Sequence, residues 1–241
     1  MNIALVGYGK MGKTIEKIAL ERGHHIVLKI RKENLADMTA TNLKMADVVI
    51  EFTNPESAKS NVLQCLNLGL PVVCGSTGWN HELPEANQYA EVNNTAFLHA
   101  SNFSIGVNIF FEVNKLLAQL MQGQVDYKVT MEEVHHTEKK DAPSGTAITI
   151  AEQILSKISR LKNWALDINM PLPTDTLPIK AIRENHVPGT HQVSYNSTLD
   201  TIDIIHTAHN RDGFAKGAVL AAEFIFGKQG VFAMKDVLGV G

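Results

Sequence analysis

A glycine pattern near the N-terminus constrains the fold more than any other feature of this 241-residue sequence. The pattern is Gly7-Tyr8-Gly9-Lys10-Met11-Gly12. The apolar run Ile3–Val6 before it predicts a strand, and the segment after it predicts a helix with Ile15, Ile18 and Ala19 on one apolar face. In this context the first glycine permits a tight turn, the second lets a pyrophosphate approach the backbone, and the third allows close helix–strand packing. The pattern therefore predicts dinucleotide binding. The alternative is a strand–helix turn without a ligand.

The second predicted strand, His25 to Ile30, ends without an acidic residue. NAD-binding proteins usually carry Asp or Glu there to hold the ribose hydroxyls. Here Arg31 and Lys32 follow the strand, and Glu33 comes only after them. A basic side chain suits a 2′-phosphate, so we expect NADPH to be preferred, with NADH possible, and Arg31 to contact it. The alternative is a solvated basic pair.

Strand and helix patterns alternate along the first hundred residues. Further strands are predicted at 47–52, 69–74 and 96–100, with Asn54 and Pro55 as the N-cap and first residue of the helix after the third strand. This alternation predicts a Rossmann-type, doubly wound parallel sheet with right-handed crossovers. The loop Gly75-Ser76-Thr77-Gly78 follows the fourth strand, where such sheets bind ligands, so it is a candidate cofactor contact; a plain turn is the alternative.

The pattern changes after residue 104. We predict a helix at 106–121, a strand at 125–134, a polar loop, a helix at 146–158 and an irregular segment at 161–177. Three strand-like runs then follow without intervening helices, at 179–183, 191–197 and 201–208, which predicts a mixed or antiparallel sheet. A last apolar helix, 214–226, should pack on the first domain. We thus predict a dinucleotide-binding domain of residues 1–103 and 212–241 and a smaller α+β substrate domain of residues 104–211.

The polar segment 132–147 is the main candidate site. His135 and Lys139 can donate or shuttle a proton beside a bound anion. Backbone N–H groups around Ser144, Gly145 and Thr146, at a helix start, can receive a carboxylate. A solvated charged loop followed by a helix cap is the alternative. We expect no metal, because neighbouring histidines on an extended backbone point to opposite faces and no zinc-ligand spacing accompanies them.

Charge and composition exclude several classes of partner. The net charge of -3 gives no general attraction to nucleic acid or to an anionic membrane. Two cysteines are too few for a disulfide framework. No apolar run is long enough to span a bilayer, and a first strand starting at Asn2 leaves no room for a signal peptide. We therefore expect a cytoplasmic protein that binds neither nucleic acid nor membrane.

On these residues the chain resembles the dihydrodipicolinate reductase (4-hydroxy-tetrahydrodipicolinate reductase) family of bacterial lysine and diaminopimelate biosynthesis, over essentially its whole length. The most specific part runs from Glu133-Val134-His135-His136 through Lys139 to Asp141-Ala142-Pro143-Ser144-Gly145-Thr146. The N-terminal glycine motif agrees as well. So do two later loops that correspond to the cofactor contacts of the family, Gly75-Ser76-Thr77 and Ala100-Ser101-Asn102-Phe103.

The resemblance implies hydride transfer from the nicotinamide to a ring carbon of the substrate, with protonation of the adjacent carbon, to give tetrahydrodipicolinate. It implies His135 as proton donor or acceptor, Lys139 as proton donor, and substrate contacts by His136, Gly145 and Thr146. It also implies a homotetramer assembled through the second-domain sheets. Two departures concern the cofactor: Ile30-Arg31 replaces the usual acidic residue, and Lys10 stands where many members carry Arg.

Two other functions are compatible with the first half of the chain. One is a different small NAD(P) dehydrogenase acting on an aspartate-derived amino acid, and the other is a cofactor-sensing regulator without chemistry. The first has no reason to carry the His-His-x-x-x-Lys-x-Asp-Ala-Pro-Ser-Gly-Thr pattern, and the second predicts that Lys139 or the Pro143-Ser144-Gly145 turn is lost. Both features are intact, which favours the reductase.

Overall fold

The computed structural model describes residues 1–167 and 171–240. Its chain divides into two compact units, one of Met1–Ile105 with Arg211–Gly241 and one of Gly106–Asn210. In chain order the elements are β1 (Asn2–Val6), α1 (Lys10–Glu21), β2 (His25–Ile30), α2 (Ala40–Leu43), β3 (Val48–Glu51), α3 (Pro55–Asn67), β4 (Val72–Cys74), α4 (Leu83–Val92), β5 (Ala96–His99), α5 (Ile105–Met121), β6 (Lys128–His135), α6 (Gly145–Lys157), β7 (Asn163–Leu166), β8 (Thr176–Arg183), β9 (Gly189–Asn196), β10 (Thr201–Ala208), α7 (Asp212–Ile225), β11 (Gly230–Phe232) and α8 (Met234–Leu238).

The first unit is built on a six-stranded sheet in the order β11-β5-β4-β3-β1-β2. All of its described pairings are parallel, which confirms the predicted fold class. Successive residues of β1 point to opposite faces, so Ala4 packs with α3 and α4 on one side while Ile3 packs with α1 and α7 on the other. The sheet is thus covered on both faces, as a doubly wound fold requires.

Helix α7 is part of the first unit although it follows the whole second unit in sequence. Its small residues pack against β1, β3 and α1 in one buried cluster: Ala215, Ala218, Val219, Ala221, Ala222 and Ile225. At Gly217 the helix lies so close to the chain after β5 that an added Cβ would stand 1.7 Å from the carbonyl oxygen of Phe103. Small side chains on this face therefore bring the helix into direct contact with the sheet.

The second unit contains a five-stranded mixed sheet in the order β10-β9-β6-β8-β7. Strand β6 pairs parallel with β8 and antiparallel with β9, as the predicted mixed sheet requires. Helices α5 and α6 pack on the sheet through Phe110, Phe111, Ile150 and Ile154, which lie in one cluster with Met131 and its strand neighbours.

Some predicted boundaries were wrong. The segment 161–177 is not irregular throughout, because Asn163–Leu166 forms β7 and Thr176 opens β8; positions 168–170 lie outside the described residues. Strand β7 has only four residues and lies at the edge of the sheet, where it is held by hydrogen bonds to β8. So short a segment shows no alternation of apolar and polar residues that would predict a strand. For the same reason the three-residue β11 was not predicted. Strand β6 ends at His135, so this histidine belongs to a strand and not to the loop, and α7 begins at Asp212 instead of 214.

None of the described helices has the length and apolar character needed to cross a bilayer.

Candidate active site

The first unit contains a cavity of about 710 Å³ at the carboxyl ends of β1, β2 and β3. It brings Gly7, Tyr8, Gly9 and Arg31 together, as the sequence predicts for a nucleotide site. Its wall also contains residues that the sequence argument did not select, among them Lys13, Asn54, Ser57 and Asn61. Of the described residues predicted to contact the cofactor, several do not line this cavity: Lys10, Met11, Gly12, Gly75–Thr77 and Ala100–Phe103.

The geometry of the glycine loop agrees with the role predicted for each of its three glycines. Gly7 has a φ of +99°, and an added Cβ would lie 2.0 Å from the carbonyl oxygen of Phe52. At Gly12 a Cβ would lie 2.5 Å from the carbonyl oxygen of Gly7, so the start of α1 packs closely on the loop. At Gly9 a Cβ would meet no atom within 4 Å. The backbone there is open to an approaching ligand, which fits a pyrophosphate at the start of a helix.

Tyr8 lines the nucleotide cavity and lies close to two basic side chains, Lys29 and Arg31. Its hydroxyl donates to Glu16, whose carboxylate also pairs with the Lys29 ammonium at 2.5 Å. The hydrogen bond to Glu16 raises the pKa of Lys29 above its ordinary value. The Arg31 guanidinium lies 5.0 Å from the centre of the Tyr8 ring, within cation–π distance. The Tyr8 hydroxyl is thus fixed by Glu16, and the ring supports Arg31 in the wall of the cavity.

The two later loops contribute to this unit mainly through structural contacts. Ser76 Oγ accepts a hydrogen bond from Thr53 N at 2.8 Å, and the Ser76 carbonyl accepts from Trp79 Nε1 at 2.8 Å. The Phe103 side chain is buried, with its ring 5.5 Å from that of Phe52. Contacts from these two residues to a cofactor would therefore come from their backbone, and such contacts stay a prediction.

In the second unit, the buried face of β6 changes from apolar to polar toward its carboxyl end. Val129 and Met131 belong to the hydrophobic core, whereas Glu133 and His135, next on the same face, are buried polar residues. Strand register places further polar residues beside them. Glu133 lies opposite His191 of β9, and His135 is paired with Arg183 of β8. A polar cluster results, in which Glu133, His135 and His191 are buried and Arg183 is half-buried.

The Glu133 carboxylate is fully buried and accepts several hydrogen bonds. Its oxygens accept from Ser144 N at 3.2 and 3.1 Å and from Arg183 Nη2 at 3.0 Å. Ser144 is the N-cap of α6, and its Oγ accepts from Ala147 N at 3.1 Å and lies 3.2 Å from His191 Nε2. Because a buried carboxylate is costly without partners, these contacts fix the start of α6 against β6.

His135 is held in a narrow space within this cluster. Its ring lies 5.0 Å from that of His191, and a Cβ at Gly189 would come within 3.0 Å of His135 Nε2. Its Nδ1 accepts no hydrogen bond from the described residues and lies 3.5 Å from Glu133 Oε2. Burial lowers the pKa of His135 below its ordinary value, although Glu133 opposes the shift. Its ring is therefore neutral at pH 7.

The remaining predicted residues of the site surround this cluster. Lys139 Nζ pairs with Asp141 Oδ2 at 2.8 Å, and the lysine side chain is 23% exposed. Burial opposes ionisation of Asp141, but the hydrogen bond from Lys139 lowers the pKa of that carboxyl below its ordinary value. Gly145 opens α6, and a Cβ there would meet no atom within 4 Å, so the backbone at this helix start is open. His136 and Thr146 are half-buried.

Three groups in this cluster have the chemistry of metal ligands. Ligand atoms of Glu133, His135 and His191 lie within 4.8 Å of one another, and two histidines with one glutamate can bind zinc. However, the Arg183 guanidinium already neutralises Glu133, and Ser144 N donates to both of its oxygens. The carboxylate therefore needs no further cation, and the expectation of a site without metal stays a prediction.

The buried histidines predict a loss of stability in mild acid. Burial lowers the pKa of His191 to about 3, so the unfolded chain binds a proton near pH 6.5 that the folded protein does not. Stability is then complete above pH 6.5 and falls as the pH drops, by about 2 kcal/mol at pH 5 for this ring. We expect urea unfolding of the His191→Gln variant to lose correspondingly less free energy than the wild type between pH 7.5 and pH 5.

The exposed His81 gives the control for this comparison, since its side chain is 78% exposed. A His81→Gln variant should follow the wild-type pH dependence. If the His191→Gln variant also follows it, the His191 ring is not the source of the acid sensitivity.

Family models match both parts of the chain. Residues 1–103 match the N-terminal model of dihydrodipicolinate reductase, and residues 106–238 match its C-terminal model. The chain belongs to the dihydrodipicolinate reductase family. It is thus an oxidoreductase, and the site cluster described above lies in the part that matches the C-terminal family model.

Relatives within the dihydrodipicolinate reductase family match the whole chain. The 4-hydroxy-tetrahydrodipicolinate reductase of Christiangramia forsetii is 50% identical over 99% of this chain and 98% of its own length. That of Alkaliphilus oremlandii is 34% identical over 100% and 99%. A solved dihydrodipicolinate reductase from Paenisporosarcina sp. TG-14, with dipicolinate bound, superposes with a TM-score of 0.78 at 21% identity, covering 97% of both chains. At that identity the likeness concerns the fold alone.

Sequence reasoning missed several residues of the two candidate sites, and three of them are charged or titratable. Arg183 and His191 belong to strands that are far from 132–147 in sequence, and only the sheet register places them beside His135 and Glu133. Lys13 lines the nucleotide cavity and had a weak signal, because it lies one helical turn after Gly9. The functional assignments of the residues that were predicted stay predictions.

Proposed function

We propose that the protein reduces 4-hydroxy-tetrahydrodipicolinate to tetrahydrodipicolinate with NAD(P)H and a proton, with the 4-hydroxyl group leaving as water, in lysine and diaminopimelate biosynthesis. The observation that carries this is the cluster of Glu133, His135 and Arg183, with Lys139 and the open helix start at Gly145 in the segment that it binds, within a chain of this family. A cyclic dicarboxylate needs fixed N–H donors and cations, and this region has both. Dipicolinate bound to the Paenisporosarcina enzyme supports a substrate of the same chemical class.

The residues divide the work of binding and proton transfer. When bound, the reduced nicotinamide supplies the hydride, and the cavity at Gly7, Gly9 and Arg31 would hold the pyrophosphate and adenosine part of the same cofactor. Backbone N–H groups at Gly145 and Thr146 receive a substrate carboxylate, with His136 beside them. Lys139 donates the proton to the ring carbon next to the one that is reduced. His135, neutral at pH 7, stabilises the negative charge that develops on the ring through a hydrogen bond.

The experiment that tests this function is oxidation of NADPH by the purified protein. The substrate is made in place by a synthase from pyruvate and aspartate semialdehyde, and the loss of NADPH absorbance is followed with NADH in a parallel assay. Rapid oxidation that depends on the synthase is expected. Tight NADPH binding without oxidation of either cofactor would contradict the proposal and favour a cofactor-sensing protein or a different substrate.

We also propose that NADPH is preferred to NADH. At the end of β2 the buried Ile30 is followed by Arg31, whose guanidinium lies by the Tyr8 ring in the wall of the cavity. Lys13 and Lys32 line the same cavity and add positive charge near it. Glu33 also lines it and is the group that would accept the ribose hydroxyls of NADH. Three basic residues against one carboxylate favour a phosphorylated ribose.

Replacing Arg31 should separate the two cofactors. Loss of a charge-assisted hydrogen bond to phosphate costs about 1.5–3 kcal/mol, so we expect Arg31→Ala to raise the KM for NADPH by about 10–100-fold. The KM for NADH should change little. Lys17→Ala, on the exposed surface of α1 and outside the cavity lining, is the control and should leave both KM values near those of the wild type. Equal effects of Arg31→Ala on both cofactors would contradict a contact with the 2′-phosphate.

We propose a homotetramer assembled through the second units and a cytoplasmic location. Strand β10 lies at one edge of the mixed sheet, and apolar side chains on or beside it are exposed: Leu199, Ile202 and Ile205. An exposed sheet edge that carries apolar side chains favours association between protein chains. Contact with other copies of the chain would remove these side chains from water. Light scattering after size exclusion should give four times the chain mass, and a monomer mass would contradict the assembly.

A further inference from the structure

Arg183 makes contacts with the candidate site that no sequence motif predicted. It is the last residue of β8, paired in register with His135, and its side chain is 21% exposed. Its Nε donates to the Lys139 carbonyl at 3.3 Å, and its Nη2 donates to the Asp141 carbonyl at 2.5 Å. The same Nη2 donates to Glu133 Oε1 at 3.0 Å. One guanidinium therefore joins the buried carboxylate to the backbone on both sides of Lys140.

Glu133 makes the matching contacts at the other end of the loop. Its carboxylate accepts from Ser144 N, directly before α6. Residues 136–144 contain no helix or strand, and apart from the bond of Lys139 N to the His136 carbonyl at 3.1 Å their path depends on contacts with neighbouring elements. The ion pair supplies such contacts in the middle and at the end of the segment, since Arg183 binds carbonyl groups of Lys139 and Asp141 while Glu133 binds the amide of Ser144.

We propose that Arg183, together with Glu133, is the positioning residue of this site: it fixes the backbone of Lys139 and thereby places the ammonium group for proton transfer. The proposal rests on the function proposed above for Lys139. The planar guanidinium fork can bind two carbonyls and a carboxylate at fixed angles, which a lysine ammonium at the same place cannot reproduce. A displacement of a catalytic group by about 1 Å can reduce turnover by about 100-fold, so the effect should appear in kcat.

The chain offers a matched control in Arg160. This guanidinium also binds a set of backbone carbonyls within the second unit, those of Met121, Gln122, Gln124 and Tyr127, at 3.1–3.5 Å. It fixes the turn between α5 and β6 and makes none of the described contacts to residues 133–144. Arg160→Ala thus removes a guanidinium of the same kind without changing the candidate site.

The experiment compares Arg183→Ala, Arg183→Lys and Arg160→Ala in the full-length protein. We expect both Arg183 variants to lower kcat by about 10–100-fold, with the Kd for NADPH close to that of the wild type. Backbone hydrogen exchange of the segment 136–144, followed by mass spectrometry, should accelerate in the Arg183 variants only. Added methylguanidine should restore part of the kcat of Arg183→Ala and none of that of Lys139→Ala. Arg160→Ala should lower the thermal midpoint and keep its kcat.

The outcomes test two proposals separately, the positioning role of Arg183 and the proposed reductase function. Arg183 variants whose kcat and exchange rates equal those of Arg160→Ala would overturn the positioning role. If Arg183→Ala does not fold, Arg183→Lys still decides, because the lysine keeps the positive charge beside Glu133; a wild-type kcat there would overturn the proposal. A wild type that folds and does not reduce the substrate would contradict the proposed function instead, and the exchange comparison would still test the positioning of the loop.

Discussion

Replacing Lys139 by alanine is expected to reduce turnover by about 10²–10⁴, the usual contribution of a general acid. Lys139 is the positively charged donor of the segment, paired with Asp141 and 23% exposed, while burial lowers the pKa of His135 and keeps its ring neutral at pH 7. The Kd for NADPH should change little, because the nucleotide cavity is lined by residues of the first unit alone. Steady-state kinetics in the coupled assay and a binding titration with NADPH measure the two quantities.

The adjacent Lys140 gives a control of equal charge. Its side chain is exposed, and the Arg183 contacts lie on the carbonyls of its two neighbours. Lys140→Ala should therefore keep turnover near that of the wild type. A Lys139→Ala variant with wild-type turnover would remove Lys139 from the mechanism, and His135 would then be the remaining candidate donor.

The largest expected effect on folding is that of Gly217→Ala. The new Cβ would stand 1.7 Å from the carbonyl oxygen and 2.7 Å from the carbonyl carbon of Phe103. Both atoms belong to the backbone and cannot turn away, so α7 must move off the sheet. Overpacking of this kind costs about 1–3 kcal/mol and more where backbone is displaced. We expect a loss of at least about 3 kcal/mol in the free energy of unfolding, measured by urea denaturation.

Gly213 lies on the same helix and tests the explanation. A Cβ there would approach only Ser104 Oγ, at 3.9 Å, which is ordinary van der Waals contact. Because alanine favours a helix over glycine by up to about 1 kcal/mol, Gly213→Ala should leave stability unchanged or raise it. Equal destabilisation by the two substitutions would show that helix propensity, and not the contact with Phe103, controls the result.

The fold of the first unit could be predicted because its signals are local. The glycine motif between β1 and α1, the Asn54 cap of α3 and the alternation of apolar segments each lie within one short stretch. Strands β7 and β11 could not be predicted in this way. They have four and three residues, lie at sheet edges, and owe their structure to hydrogen bonds with a distant partner.

Only the part of the candidate active site that is continuous in sequence could be predicted. His135, His136 and Lys139 through Thr146 form a recognisable pattern, and the open backbone at Gly145 agrees with it. Arg183 and His191 join that site through the register of three strands, which depends on the whole sheet. The partners that fix the segment were therefore outside the reach of pattern analysis, even though each belongs to a predicted strand.

The place of α7 in the first unit has a consequence for synthesis on the ribosome. The second unit is continuous in sequence and can complete its sheet while the chain is still growing. In the first unit, by contrast, one face of the parallel sheet has α1 but lacks α7, and β5 lacks its neighbour β11, until residues 211–232 have left the exit tunnel. An apolar surface that includes Ile3, Leu5, Ile50 and Leu98 therefore remains incompletely covered during translation. We expect nascent chains stalled before residue 211 to bind chaperones through this surface.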